Sequence, residues 1–219
     1  MTHRLFDFAA MPPRDVYKLL IGTVVPRPIA WVTTRSPEGV ANAAPYSFFN
    51  CLSSDPPILA LGVENRDQQR FKDTAWNIRM TEEFTVNIVD MANMDAMNVT
   101  ATPFAPEVDE LEMAGLTAAP GLKVSCPRIA EAPVAFECRR HVGIEIGRSR
   151  EIILGEVLCA HVREGLTDPA RLHTDPLKLD AVGRMGGHGY SRTRDCFDLP
   201  TMSVAEFEAS PLAARRRAG

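Results

Sequence analysis

Short apolar runs, cut at close intervals by proline and glycine, set the pattern of this chain, which carries 17 prolines and 14 glycines in 219 residues. Runs so short, bounded by turn-forming residues, predict strands rather than helices. Ile29-Ala30-Trp31-Val32-Thr33-Thr34 is rich in β-branched and aromatic residues. It lies between Pro28 and Ser36-Pro37-Glu38-Gly39, which predicts a strand entering a hairpin turn. Residues 57–63 and 84–89 read as further strands. In 134–139, alternation puts Val134, Phe136 and Cys138 on one face. The longest predicted strand is 151–162, with Gly155 as a bulge or tight bend.

Helical signals are fewer. Asp73 or Thr74 is the expected cap of a helix through Met80, with Trp76 and Met80 four apart on one face. Asp90 is the expected cap of a second helix over 91–99, where Met91, Met94 and Met97 recur every third position as core filling. A short piece is expected over 109–114, ending at Gly115, and one or two turns over 203–209 before Pro211. No repeat, low-complexity tract or linker interrupts the pattern, so 1–219 reads as a single domain with a tail over 200–219.

Composition narrows the function class. A net charge of −4 argues against a nucleic-acid partner, whose phosphates need clustered cations. The one cluster, Arg215-Arg216-Arg217, reads as a frayed end. No apolar run approaches the roughly 20 residues needed to cross a bilayer, and the N-terminus lacks the apolar stretch of a secretory signal. Five cysteines (51, 126, 138, 159, 196) form an odd set without close pairs, which suits neither a disulfide framework nor a zinc site. A reduced, cytoplasmic protein is the simplest expectation.

Familiar catalytic motifs are missing: no G-x-S-x-G, G-x-x-x-x-G-K, H-E-x-x-H, or G-x-G-x-x-G after a strand. The histidines at 3, 141, 161, 173 and 188 never fall at metal-ligand spacing along the chain, and no metal is expected. Cys138 and His141, three apart on a strand, should face opposite sides.

Three segments carry candidate chemistry instead. In Val25-Pro26-Arg27-Pro28 two prolines stiffen the backbone around one guanidinium, either to aim it or simply to build a rigid turn. From Asn42 through Pro45, Tyr46, Ser47, Phe48, Phe49 and Asn50 to Pro57, small residues, amides, hydroxyls and aromatics alternate. That stretch can offer backbone groups to a planar heterocycle, although Phe48 or Phe49 also suits the core. Residues 66–74, with Arg66, Lys72, Asp73 and Thr74, join cations to a helix start, an anion site suited to phosphate or else a solvated charged loop.

Together with Ser54-Asp55-Pro56-Pro57, Asn77 and the late Gly183-Arg184-Met185-Gly186-Gly187-His188-Gly189-Tyr190, these segments resemble the flavin reductase-like family over 17–190. The resemblance implies a mainly β fold, a six-stranded Greek-key split barrel with a few flanking helices, dimeric, holding FMN near the subunit interface. It implies that 46–50 line the flavin ring with Ser47 at its polar edge, and that Thr33 and Thr34 border the ring or ribityl chain. Lys72, Asp73 and Thr74 would meet the phosphate, helped by Arg27 or Arg66. Arg184, Gly186 and Tyr190 would approach the flavin, that of the partner included, and His188 would meet the nicotinamide or solvent. The implied reaction passes hydride from NADH or NADPH to FMN, or to FAD as a diffusible substrate, and needs no protein nucleophile. A monooxygenase supplied with reduced flavin, an electron-carrier role, and reduction of another small organic substrate all stay open.

Overall fold

The buried positions of strand Ala30–Arg35 are divided between two hydrophobic clusters, which fixes the layering of the fold. Ala30 and Val32 point into one cluster; Ile29, Trp31 and their neighbours point into the other. A strand covered on both sides shows a continuous rather than an alternating apolar run, as 29–34 does. The structure is a computed structural model that describes residues 1–67, 70–147, 150–211 and 213. The Arg215-Arg216-Arg217 cluster and positions 68 and 69 lie outside the described residues.

In chain order the elements are α1 (Pro13–Thr23), β1 (Arg27–Pro28), β2 (Ala30–Arg35), β3 (Ala41–Tyr46), β4 (Phe49–Ser54), β5 (Pro57–Glu64), α2 (Asp73–Thr81) and β6 (Glu83–Ile88). There follow α3 (Met94–Val99), α4 (Glu110–Met113), β7 (Ala118–Ala119), β8 (Arg128–Ile129), β9 (Val134–Ile146), β10 (Arg150–Val162), α5 (Pro176–Leu179), β11 (Val182–Arg184), β12 (Tyr190–Arg192) and α6 (Val204–Glu208). The main sheet is antiparallel, with order β3-β2-β6-β9-β10-β5-β4. The sheet thus has seven strands where the resemblance implied six. A three-stranded ribbon β1-β11-β12 and a pair β7-β8 complete the β structure.

The first cluster joins Val32, Leu61, Val63, Phe84, Val86 and Ile153 of the sheet to Ala75 and Ile78 of α2. Such burial contributes about 1.5–3 kcal/mol for each large aliphatic or aromatic side chain. The second sets Trp31, Val89 and Ile129 against Met97 and Leu111, with Met91 and Met94 at its edge. The methionine row therefore fills the core, as its spacing predicts. The hairpin after Thr34 also forms as expected: Gly39 takes a positive φ of 95° and Thr34 pairs with Asn42. Gly155 sits at a register shift between β10 and β9, where a Cβ would fall inside the Phe84 ring.

Three expectations are corrected. Neither Asp73 nor Thr74 caps α2; Lys72 is the cap residue and makes no side-chain capping bond. Asp73 pairs with Arg66, and Thr74 donates to Asn42 at 3.0 Å. Trp76 and Met80 are both exposed on α2, a burial the spacing leaves open. β9 runs on to Ile146, past the predicted end at Arg139, and matches β10 in length, because Val142, Ile144 and Ile146 continue the strand on an exposed ribbon. The 91–99 segment is a short 3-10 turn and then α3, with Asp90 accepting from the Asn93 amide. No helix among the described residues is long and apolar enough to cross a membrane.

Candidate functional site

Where β3 meets the start of α2, a cleft of about 560 Å³ opens at the sheet edge, within the usual range for small-molecule sites. Asn42, Ala44, Pro45 and Tyr46 come from β3, Glu64 from the end of β5, and Arg66, Lys72, Asp73 and Thr74 from the approach to α2. The opposite wall is the turn after α3, Thr100 to Phe104, with Glu110 of α4 beside it. Seven residues of the sequence reading thus converge: Asn42, Pro45, Tyr46, Arg66, Lys72, Asp73 and Thr74.

Their local structure explains the convergence. Strand alternation on β3 sends Asn42, Ala44 and Tyr46 to one face, toward α2. The helix starts at Asp73 directly above them, so its first-turn N–H groups, left without a side-chain cap, lie at the cleft. Lys72 makes no ion pair among the described residues, whereas Arg66 is bonded to Asp73. A cleft with an unpaired ammonium, a guanidinium and uncapped helix amides at one end, and hydroxyl and amide groups at the other, fits a ligand that joins a phosphate to a polar ring system.

The floor is one buried hydrogen-bond network. Thr74 Oγ1 donates to Asn42 Oδ1 at 3.0 Å, and Thr34 Oγ1 approaches the same oxygen at 3.4 Å. Asn77 Nδ2 donates to Thr34 at 3.0 Å. Asn42 Nδ2 and the Ala43 amide donate to the two oxygens of Glu110, each at 3.0 Å. Burial pushes the Tyr46 phenol upward. Burial likewise raises the Glu110 carboxyl, with the charge of Asp73 acting in the same direction. Glu110 escaped the sequence reading because one carboxylate in a charged stretch carries no pattern; only the fold brings it beneath Asn42.

The remaining predicted residues are elsewhere. Arg27 is buried and committed to backbone: Nη1 donates to Ile21 at 2.6 Å and Val24 at 2.7 Å, Nη2 to Met185 at 3.0 Å, and Nε approaches Ser47 Oγ at 3.4 Å. Its guanidinium therefore locks the end of α1 to the turn after β11 and lies outside the cleft lining. Thr33 points to the face opposite Thr34 and donates to Pro127 at 2.5 Å. Thr34 lies under Asn42, one layer below the cleft surface. Phe48 carries the Arg150 guanidinium 4.6 Å from its ring centroid, and Phe49 packs on the first cluster. Asn50 is exposed and accepts from Cys51. Arg184 stacks on Tyr190 at 4.4 Å and donates to Gly187, Gly186 abuts Gly22, and His188 is exposed in the same turn. Ser47, Phe48, Arg184, Gly186, His188 and Tyr190 thus fall outside the cleft lining.

Glu137, Cys159 and His161 do gather in space, with ligand atoms within 4.8 Å of one another, although the chain spacing hides it. The Glu137 carboxylate is already saturated. Its Oε1 accepts from Leu122 and His161, and its Oε2 from Lys123 and Val124. Those donors outweigh burial and hold its pKa at about 2, so the group reads as the anchor of the loop before β8.

Comparison with known proteins agrees with the architecture. A protein of Deinococcus radiodurans is 45% identical over 214 residues, covering 95% of this chain and 94% of its own. Nitrilotriacetate monooxygenase component B from Bacillus cereus superimposes with a TM-score of 0.87 at 31% identity, over 91% of this chain and all of that one. Pseudomonas fluorescens 2-nitrobenzoate 2-nitroreductase NbaA gives 0.83 at 34% identity, over 92% and 98%. The fold is thus a split barrel of the flavin reductase class. Residues 21–178 match the flavin reductase like domain, and the chain belongs to that family.

Proposed function

We propose that the chain binds FMN in the cleft and acts as an NAD(P)H:flavin oxidoreductase, reduced flavin being its product or its working cofactor. The observation that carries this reading is the convergence of Lys72, Arg66 and the uncapped start of α2 at one end of the cleft, with Asn42, Tyr46 and Thr74 along its floor. Bound flavin supplies the electron chemistry. The chain's own residues hold and orient. Lys72, Arg66 and the amides of α2 take the phosphate, and Asn42, Pro45 and Tyr46 meet the polyol and ring edge. Positioning of this kind lowers barriers by several kcal/mol.

Homodimerisation is part of the proposal. Phe6, Phe8, Tyr17 and Leu20 near the N-terminus, and Phe197, Leu199 and Val204 near the C-terminus, are exposed, more apolar surface than a monomer usually leaves wet. A second copy would cover them and bring the Arg184, Gly186, His188 and Tyr190 turn toward the partner's flavin. The reading also places the protein in the cytoplasm, and it leaves FAD as an alternative diffusible substrate.

Two uses of the electrons follow from the relatives' names. One is supply of reduced flavin to a monooxygenase, in keeping with the Bacillus cereus protein being named as a component of one. The other is direct reduction of an organic acceptor, as the name of the Pseudomonas nitroreductase indicates for that one. Steady-state oxidation of NADH and of NADPH separates them. Turnover that saturates with added FMN supports the first, and turnover only with a nitroaromatic supports the second. Absence of nicotinamide oxidation under both conditions contradicts the enzymatic reading and leaves an electron carrier.

A further inference from the structure

A second cavity, of about 270 Å³, lies between β8, the turn after it and the far end of β10, and shares no lining residue with the first cleft. Ile129, Ala132 and Ala135 give it an apolar side. Its polar groups are Arg128, His161 and Arg163, and no carboxylate lines it. His161 spends its Nε2 on Glu137.

Two guanidiniums on one small cavity repel each other unless each has a counter-charge. Arg163 has one, since it reaches Asp90 Oδ2 at 3.3 Å and also donates to the Glu131 carbonyl at 2.7 Å. Arg128 has none. It makes no ion pair among the described residues, and its Nε is buried without a hydrogen-bond partner. The acidic side chains of the surrounding segments are engaged elsewhere. Asp90 accepts from Asn93, Glu131 turns both oxygens to the Thr117 amide, and Glu137 holds three backbone amides besides His161. A desolvated donor on a charged group is unfavourable to leave unpaired. Water can pair the N–H but does not offset the charge.

We propose that this cavity is a second ligand site, which holds the carboxylate of a small organic acid between Arg128 and Arg163, its apolar body lying against Ile129 and Ala132. A guanidinium presents a planar fork of N–H groups that matches the two oxygens of a carboxylate. The alkyl side gives the rest of the ligand a place out of water, which a bare anion would not use. The volume equals the share of about nine water molecules, too small for a nucleotide and suited to an acid of about that many non-hydrogen atoms.

The site is independent of the flavin reading, and so is its test. Benzoate, a planar acid of that size, is titrated into the full-length protein and followed by NMR. It should bind with a Kd of about 1 mM or below, shifting the Arg128 Nε–H and the Ala132 amide. Arg128→Met, which keeps the stem and removes the charge, should weaken binding by about tenfold or more, and Lys72→Ala should leave it unchanged. Benzamide, of the same shape without the charge, should bind wild type about tenfold more weakly than benzoate, as should inorganic phosphate, which lacks the apolar body. Since the Arg128 side chain has no bond to lose, Arg128→Met without ligand should keep the wild-type Tm within about 2 °C. Benzoate should raise the Tm of wild type and not that of the variant. Equal benzoate affinity in Arg128→Met, shifts confined to the surroundings of Lys72, or no saturable shift would overturn the site. Phosphate or benzamide binding as tightly as benzoate would overturn the organic acid as its ligand. A variant that loses several degrees of Tm would show Arg128 to be a structural side chain and contradict the proposal.

Discussion

Arg27 donates to the carbonyls of Ile21, Val24 and Met185, three groups that would be left unpaired together if the side chain were cut back. Each unsatisfied buried group costs about 1–3 kcal/mol, and a charged donor sits at the upper end. Arg27→Ala should therefore lower unfolding free energy by about 3 kcal/mol or more, while FMN affinity stays within about twofold, the mark of a group outside the site. Loss of binding with unchanged stability would return Arg27 to the phosphate. Glu137 makes a pH statement at the same scale. Its pKa of about 2 lies below the unfolded value near 4.3, so its stabilisation is complete above that value and fades as pH falls toward 2. Glu137→Gln should lose stability at neutral pH and unfold with a shallower acid limb than wild type, read by denaturant midpoints across pH. An acid limb as steep as wild type's would mean that the carboxylate does not carry this linkage.

At the scale of elements, most strands were legible because turn residues bracket them: 29–34, 57–63, 84–89 and 151–162 all form near their predicted bounds. The misses have physical reasons. α1 has Pro12 as its cap residue and makes no side-chain capping bond, so no polar cap marks its start. The 42–57 stretch divides into β3 and β4 around a tight corner that composition alone does not show. Gly155 was read correctly as a special position, since Phe84 fills the place of its side chain. Gly155→Ala should displace that ring and cost about 1–3 kcal/mol, seen as a drop of several degrees in Tm. No change in Tm would show that β10 can shift to absorb a methyl group.

At the scale of the whole molecule, half of the candidate site was visible in sequence and half was not. Lys72, Asp73, Thr74, Asn42 and Tyr46 could be picked out because motif order carries them, and the fold brings them to one cleft. Glu110 and the 100–104 wall come from across the second cluster and leave no local signal. Arg27 and Thr33 donate to backbone carbonyls, a use of a conspicuous polar residue that sequence alone does not separate from ligand binding. The exposed apolar residues at both ends predict a dimer in sedimentation at micromolar concentration; a monomer there would leave that surface unexplained. The most direct measurement is an equilibrium FMN titration of wild type against the double variant Lys72→Ala, Thr74→Ala, read by flavin fluorescence. The account predicts affinity weakened by more than about tenfold through lost phosphate contacts. Equal affinity, or a wild-type protein that takes up no FMN, would contradict it.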